Sequence, residues 1–465
     1  MKKAVQALGA LSLLLIAFTY FAFSRVDHTP YHFDDYFKRT LERLAQLEND
    51  LVVTHGPIQA GFSRVSITPA FNHSNAEWEK GMFEYVPLAG YGARKGQPAT
   101  GINDSIFVKA MALKSQDQLL VFVTADLLIL PPNVTDSLVV HLSETGLKRD
   151  QLVFSATHTH SAPGGFGYGR LGTEFAGNYH PDIVRWLVQQ MSKAIHSAID
   201  DLKPSRIGSG HFNAAEFTRN RLVNDLGTKN SNFNIVRVEQ KGYNSAIIGS
   251  FAGHATTLGP ENMLISGDYP GYWARKTSQL TSSQAMFFAG SMGSQRPFGE
   301  GRGFDRARFI GEALAERTAD RYPSVAMHDS LVIATLSLKV NLPSPHIRIT
   351  PKVSLSSFLS RRIMSYPYHE NVYIQAVRIG NLIWLAIPGE LSGELANQII
   401  NDIRDKGFEC MITSFNGSYI GYIIPGKYFY MDKYEPKTMG WFGPYLGDYT
   451  MDLSRYLYTI LADLE

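Results

Sequence analysis

Two lysines, Lys2 and Lys3, precede twenty uncharged residues at 4–23, and beyond them the chain breaks into short apolar runs separated by amphipathic stretches. The runs at 118–124, 151–156, 234–238, 245–251, 285–289, 331–338 and 372–387 have strand length and predict buried strands, the last folded at Gly380-Asn381. Helical patterns lie between them at 180–202, 269–280 and 305–320. This alternation predicts a layered α/β body with a mixed sheet. No internal repeat, low-complexity tract or long linker divides it, so residues 58–465 read as one domain. Ahead of it, Phe33, Tyr36, Phe37, Leu41, Leu44 and Leu47 recur at three- and four-residue steps, which makes 27–57 a helical stalk or packing segment.

Twenty residues at about 1.5 Å each cover roughly 30 Å, the thickness of a bilayer's hydrocarbon. With two lysines on the cytoplasmic side, residues 1–26 read as a transmembrane anchor that places the body on the extracytoplasmic side, periplasmic or extracellular. A cleaved signal peptide, and hence a secreted protein, is the rival reading. Tyr20-Phe21-Ala22-Phe23-Ser24 offers few of the small residues a cleavage site prefers.

Composition narrows the class without naming a chemistry. Across 465 residues, 44% apolar and 18% charged content excludes wholesale disorder, collagen and coiled coil. A net charge of +2 gives no footprint for nucleic acid. The single cysteine, Cys410, excludes an internal disulfide, a Cys zinc cluster and a thiol redox pair.

Chemistry begins where apolar strands end. The run into Thr157-His158-Thr159-His160 places two imidazoles two residues apart, on one face by strand alternation, before Pro163-Gly164-Gly165. Glycines there allow a substrate to approach the backbone. A second strand ends in His254, and a third, after Pro388-Gly389, in Glu390. Any one of these is more often an ordinary hydrogen-bonded polar group. Three strand ends delivering two histidines and a carboxylate match what a catalytic zinc needs, three protein ligands and one open position. Asp268, in a Ser-Gly-Asp turn, either fixes a histidine tautomer or caps the helix that follows, and the cap is favoured.

In order along the chain, Gly61-Phe-Ser-Arg-Val-Ser-Ile-Thr-Pro69, Gly90-Tyr-Gly-Ala-Arg94, Thr157 to Gly165, Asn220-Arg221 and Phe251-Ala-Gly-His254 form a set. It continues through Ile265-Ser-Gly-Asp-Tyr-Pro-Gly271, Pro388-Gly-Glu390, Asn416-Gly-Ser-Tyr-Ile-Gly-Tyr422 and Tyr434-Glu435. Taken together these segments resemble the neutral/alkaline non-lysosomal ceramidase family over nearly all of 58–464. The resemblance implies a zinc amidase acting on the N-acyl bond of ceramide or a related lipid, by attack of zinc-bound water. It also implies one zinc per chain on His158, His254, Glu390 and Tyr422, with His160, Arg221 and Tyr434 around the scissile amide. Oxyanion charge would fall to the ion, Arg221, His160 or Tyr434, and His160 would protonate the leaving amine. A membrane reached through the N-terminal helix and an N-acyl lipid are the implied partners; protein partners, head group and acyl length are not legible.

Two departures from the family stand out. Its Gly-Asp-Val-Ser-Pro segment appears here as Gly293-Ser294-Gln295-Arg296-Pro297, with arginine in place of the serine that the family uses. Arg296, Ser294, Gly164 and Gly165 are therefore expected to touch substrate, either redirecting hydrolysis to another amide or ester or leaving a lipid-binding relative. The family's C-terminal immunoglobulin-like domain is also expected to be missing, so that the chain is the catalytic domain alone. A metal-free serine hydrolase ranks low because no Gly-x-Ser-x-Gly elbow is present. The loop aromatics Phe166, Tyr168, Phe298, Phe304, Trp441 and Phe442 would line an acyl channel, meet the membrane or fold back on the body.

Overall fold

A computed structural model describes residues 2–72, 76–364 and 370–464. Twelve strands form its main sheet: β1 Val53–Ser66, β2 Phe107–Ser115, β3 Gln118–Ala125, β4 Leu152–Ala156, β5 Lys203–Asn213 and β6 Asn232–Gln240. They continue as β7 Ser245–Phe251, β8 Gln284–Ala289, β9 Ser330–Lys339, β10 Tyr373–Ile379, β11 Leu382–Ala386 and β12 Glu409–Thr413. The helices are α1 Lys2–Ala22, α2 Asp35–Asn49, α3 Pro132–Ser143, α4 Gly169–Ala176, α5 Pro181–Asp200, α6 Asp268–Thr281, α7 Gly303–Arg321, α8 Ser357–Ile363, α9 Gly393–Asp405 and α10 Leu446–Ala462.

The long strand β1 is the branch point. Its first residues pair with β9, its later ones with β2, and Gln59 and Ala60 also with β5. Three arms leave it: β2-β3-β4, β5-β6-β7-β8 and β9-β10-β11-β12. Each arm ends in a parallel pair, β3 with β4, β7 with β8 and β11 with β12, among antiparallel neighbours. The sheet is mixed, as predicted.

Alternation along the strands sorts side chains into two layers. Met111, Phe122, Val153, Ile248, Phe288, Ile333 and Trp384 turn inward, and the three arms share this one apolar core. The opposite set meets helices. Val121 and Val123 lie in one cluster with α3 and α5, and Ile383 and Leu385 in the same cluster with α2, α9 and α10; Ile247 and Phe287 pack with α6 and α7. Strands covered on both faces need no polar residues, which is why they read as unbroken apolar runs.

Residues ahead of β1 join the body. Phe23–Arg25 pairs antiparallel with Val353–Leu355, and Tyr31, Phe37 and Leu44 enter the helix-covered core. Among the described residues one helix, Lys3–Ala22, is long and apolar enough to cross a membrane; it is exposed through residue 21, and Ala22 is buried.

Trp384 sits where the arms meet, its ring 4.6 Å from Phe122 and 5.1 Å from Phe288, its indole N–H donating to Thr413 Oγ1 at 2.9 Å. Replacing it with alanine is expected to cost about 3–5 kcal/mol, read as a lower urea midpoint at unchanged slope. An unchanged midpoint would contradict a shared core.

Candidate metal centre

The carboxyl ends of the parallel strands are tied edge to edge. Thr157 N–H bonds to Ala125 O, Gly290 N–H to Phe251 O, Ser414 N–H to Ala289 O and Ile387 N–H to Thr413 O. The loops that leave β4, β7, β8, β11 and β12 therefore start from one rigid rim, where open α/β sheets hold ligands.

His158 follows β4, yet strand alternation does not aim it. The strand stops at Ala156, and His158 has φ 61°, a left-handed conformation that costs a non-glycine residue about 1–2 kcal/mol. The turn is held by His158 Nδ1 on Leu128 O at 2.6 Å and by the Phe415 ring stacked at 4.6 Å. It turns the imidazole onto His160, with the two Nε2 atoms 3.3 Å apart. His254 lies three residues past β7, with Nδ1 on Gln295 O at 2.8 Å. That carbonyl is fixed by the ladder pairing Thr218–Asn220 with Gln295–Pro297, which also leads into Arg221. Glu390 opens a short parallel pairing in which Tyr422 is its direct neighbour.

Both Nδ1 atoms face carbonyl oxygens, so they carry the protons and the Nε2 lone pairs face inward. His254 Nε2 is 2.9 Å, and His158 Nε2 3.8 Å, from Glu390 Oε2. Neither contact has hydrogen-bond alignment, and Oε2 has no hydrogen-bond partner among the described residues. Its sister Oε1 accepts from Tyr419 Oη at 2.7 Å. Burial pushes His158 down to about 4 and His254 well below the usual imidazole range, so both are neutral. Two imidazole nitrogens and a carboxyl oxygen thus converge, buried; His160 Nε2 and Arg221 Nη2 approach the nitrogens of His158 and His254 respectively, each at 3.3 Å. Donors held about 2.0–2.1 Å from one tetrahedral ion lie roughly 3.3 Å apart, a spacing the two distances bracket. The trio, whose donor atoms all lie within 4.8 Å, can hold a metal ion.

Tyr422 Oη reaches the same point, 3.1 Å from His254 Nε2, and accepts from Arg221 Nη2 at 2.8 Å. Arg221 is braced by Glu435 Oε1 at 2.6 Å from its Nε. Burial alone would lower the Arg221 pKa, but Tyr422, Glu435 and Glu390 outweigh it and keep the guanidinium charged. His160 is backed by the Tyr91 ring at 4.7 Å, and a Cβ on Gly90, at φ 118°, would meet His160 Cβ at 2.7 Å. Only glycine fits there. Tyr434, half-exposed, sets its ring 5.9 Å from that of Tyr422 at the mouth.

His158, His160, Glu390, Tyr422 and Tyr434 form one end of a cavity of about 60 Å³ walled by Leu128, Ile129, Phe166, Leu171, Phe175 and Trp441; His254 and Arg221 lie behind that end. A larger cavity, about 260 Å³, shares Trp441 but lies against 26–36 and 440–445, away from the trio.

Other expected contacts fall elsewhere. Arg296 is exposed and Gln295 buried, because the three-residue strand alternates, and Arg296 does not line the pocket. Ser294 Oγ accepts from Gly393 N–H at 3.0 Å, so its hydroxyl is committed to the start of α9. A Cβ added at Gly164 or Gly165 would collide with Ala176 O or the Ile183 side chain respectively, and neither glycine lines the pocket. Asp268 touches no histidine. It accepts from the Thr257 N–H and hydroxyl, Leu258 N–H and Tyr269 N–H, buckling the His254 loop to the first turn of α6. Of the loop aromatics, Phe166 and Trp441 line the cavity and Phe442 is buried beyond it. Tyr168 stacks on Tyr179 and Phe298 lies under Arg219, both partly exposed.

Sequence reasoning overlooked the Leu128 and Gln295 carbonyls, Tyr419, Phe415 and Arg94. The buried Arg94 guanidinium donates to Ala89 O, His160 O, Gly259 O and Pro260 O, pinning three loops. Arg94 and Tyr419 both stood inside quoted motifs; an arginine or tyrosine in a glycine-rich loop was the available signal.

The model of the neutral/alkaline non-lysosomal ceramidase N-terminal region matches residues 80–292. The neutral ceramidase of Mycobacterium tuberculosis is 24% identical over 208 residues, 40% of this chain and 32% of that protein. Neutral ceramidase A of Dictyostelium discoideum is 27% identical over 205 residues, 40% and 28% of the two chains. The aligned stretch thus spans about a third of these relatives' length. The crystal structure of neutral ceramidase from Pseudomonas aeruginosa superposes with a TM-score of 0.70 at 18% identity, over 88% of this chain and 75% of that one. A ceramidase complexed with C2 does so at 0.74 and 18%, over 87% and 75%. The mixed α/β fold and the resemblance read from the motifs are borne out.

Full-length protein is expected to retain one divalent ion per chain after exhaustive dialysis, by elemental analysis, and His254→Ala or Glu390→Gln to lose it. Retention by both variants would remove the trio as ligands. A second expectation concerns pH. Burial pushes the Asp268 carboxyl from 3.8 up to about 6, against its donors. A raised carboxyl pKa contributes stability that is complete below about pH 4 and lost as pH rises through about 6. Between these values the urea midpoint of the wild type should fall relative to Asp268→Asn; parallel profiles would refute the shift.

Proposed function

We propose that this relative of the neutral/alkaline non-lysosomal ceramidases is a zinc-dependent amidase that cleaves an N-acyl lipid, ceramide or a related lipid amide, to a fatty acid and an amine. The observation that carries the reading is the buried trio of two neutral imidazoles and a Glu390 oxygen without a hydrogen-bond partner among the described residues, with His158 and Glu390 opening onto an apolar pocket. His158, His254 and Glu390, joined by Tyr422, would hold one zinc ion. Bound there, zinc supplies Lewis acidity and lowers the pKa of a water toward neutrality.

The chain's own residues then divide the remaining work. Leu128, Ile129, Phe166 and Phe175 exclude water and receive the acyl chain. Arg221, braced by Glu435, holds the Tyr422 phenol in place and keeps a positive charge beside the donor set. The Tyr434 hydroxyl, at the mouth, donates to the amide oxygen as negative charge gathers on it. His160 faces the same space, and its Nδ1 has no hydrogen-bond partner among the described residues. Its ring is the group placed to carry a proton to the leaving amine. The alternative of a non-catalytic lipid binder blocked by Arg296 is disfavoured by the outward course of that side chain. We further read α1 as a signal-anchor holding the body on the extracytoplasmic side of a membrane, supported by its length, its exposed apolar surface and the two lysines at its start.

Fatty acid release from a panel of N-acyl lipids should stop on chelation and return with zinc. Tyr434→Phe should lower kcat/KM by about 10²–10³ with metal content unchanged, the usual cost of one preorganised oxyanion donor. Stoichiometric zinc without turnover of any N-acyl lipid would overturn the amidase reading.

A further inference from the structure

We infer that α8 and its neighbour α4 rest on the surface of the same bilayer that α1 enters, so that the pocket takes its amphiphile from that leaflet. The inference deepens the proposed amidase function and rests on it for the nature of the substrate. The end of α1 is built into the pocket's surroundings. Ser356 N–H donates to Ala22 O at 2.7 Å, Phe23–Arg25 pairs with Val353–Leu355, and the Phe21 ring lies 5.6 Å from that of Phe358 on α8. Helix α8 packs against α4, whose Leu171 and Phe175 form the pocket wall. The same segment reaches the opposite wall, where His346 N–H donates to Trp441 O at 2.8 Å.

What covers this face follows from α1. A helix of twenty residues that is apolar and exposed through residue 21 matches the hydrocarbon of a bilayer, about 30 Å thick. Tyr20, Phe21 and Phe23 cluster at its body-proximal end, the aromatic belt that marks headgroup depth. Phe358 touches Phe21 and so lies at that depth. Phe358 and Ile349 are 60% and 47% exposed, and Lys352, Arg361 and Arg362 are exposed beside them. An apolar face fringed with basic side chains matches a leaflet containing anionic lipid.

Cys410 is the only cysteine and is buried, so an introduced cysteine takes a fluorophore alone. Full-length Phe358→Cys and Tyr243→Cys would be labelled and reconstituted in vesicles of zwitterionic and anionic phospholipid carrying headgroup-level nitroxide. Tyr243 lies in the turn before β7, at the end of that strand away from His254. Quenching severalfold stronger at 358 than at 243 supports the docking. Equal quenching, or protomer-to-protomer energy transfer at 358 independent of lipid, overturns it, the second by making another copy of this chain the occupant. Phe358→Asp with Arg362→Glu should slow hydrolysis of vesicle-borne lipid severalfold while sparing a water-soluble short-chain N-acyl amide; equal loss on both, or none on either, also counts against it. Amidase activity without preferential quenching sinks this inference alone, whereas preferential quenching without amidase activity sinks the proposed function alone.

Discussion

Two backbone carbonyls govern what the pocket can do. By accepting the Nδ1 protons of His158 and His254, Leu128 O and Gln295 O turn the two Nε2 atoms toward Glu390 Oε2, which has no hydrogen-bond partner among the described residues. Burial keeps both rings neutral, so no imidazolium is available to relieve the crowding. His160 Nε2 and Arg221 Nη2 each lie 3.3 Å from one of these nitrogens, and the buried donor set can hold a metal ion. The surrounding structure makes sense as the apparatus that holds these groups together: a left-handed residue at 158, a brace from Tyr419 to Glu390, and the ladder that fixes Gln295.

The fold supplies the stiffness this requires. Each arm of the sheet brings one parallel pair to the site, and bonds between strand ends make a shared rim of them. The ligand loops are short because their strands already stop within a few residues of the convergence point. Trp384, Phe122 and Phe288 lock the arms from beneath. A displacement of any arm would therefore be felt at all three donors.

Much of this was legible in the chain, for identifiable reasons. Strands such as Ser245–Phe251 and Gln284–Ala289 are buried on both faces and so announce themselves as apolar runs. Val53–Ser66 and Lys203–Asn213 were passed over because polar and glycine positions interrupt them where they branch or widen the sheet. His158, His254 and Glu390 stood out as polar groups ending apolar strands. Their acceptors did not, since a carbonyl has no residue signature. Arg296 points outward because the phase of a three-residue strand depends on its partner, here Thr218–Asn220, and Ser294 is held by the Gly393 N–H, a contact across 99 residues. Motif order carried Tyr422, Arg221 and Tyr434, whose importance lies in contacts across more than 200 residues for the Arg221–Tyr422 bond.

The three-residue ladder between Phe23–Arg25 and Val353–Leu355 gives the molecule a load path. Any pull along the N-terminal helix is borne first by that ladder, loaded as one small unit, and passes from it through the 346–355 hairpin to the Trp441 backbone. A displacement of that helix is thereby passed to the Trp441 side of the pocket, and the strand rim that positions the donors lies outside this route.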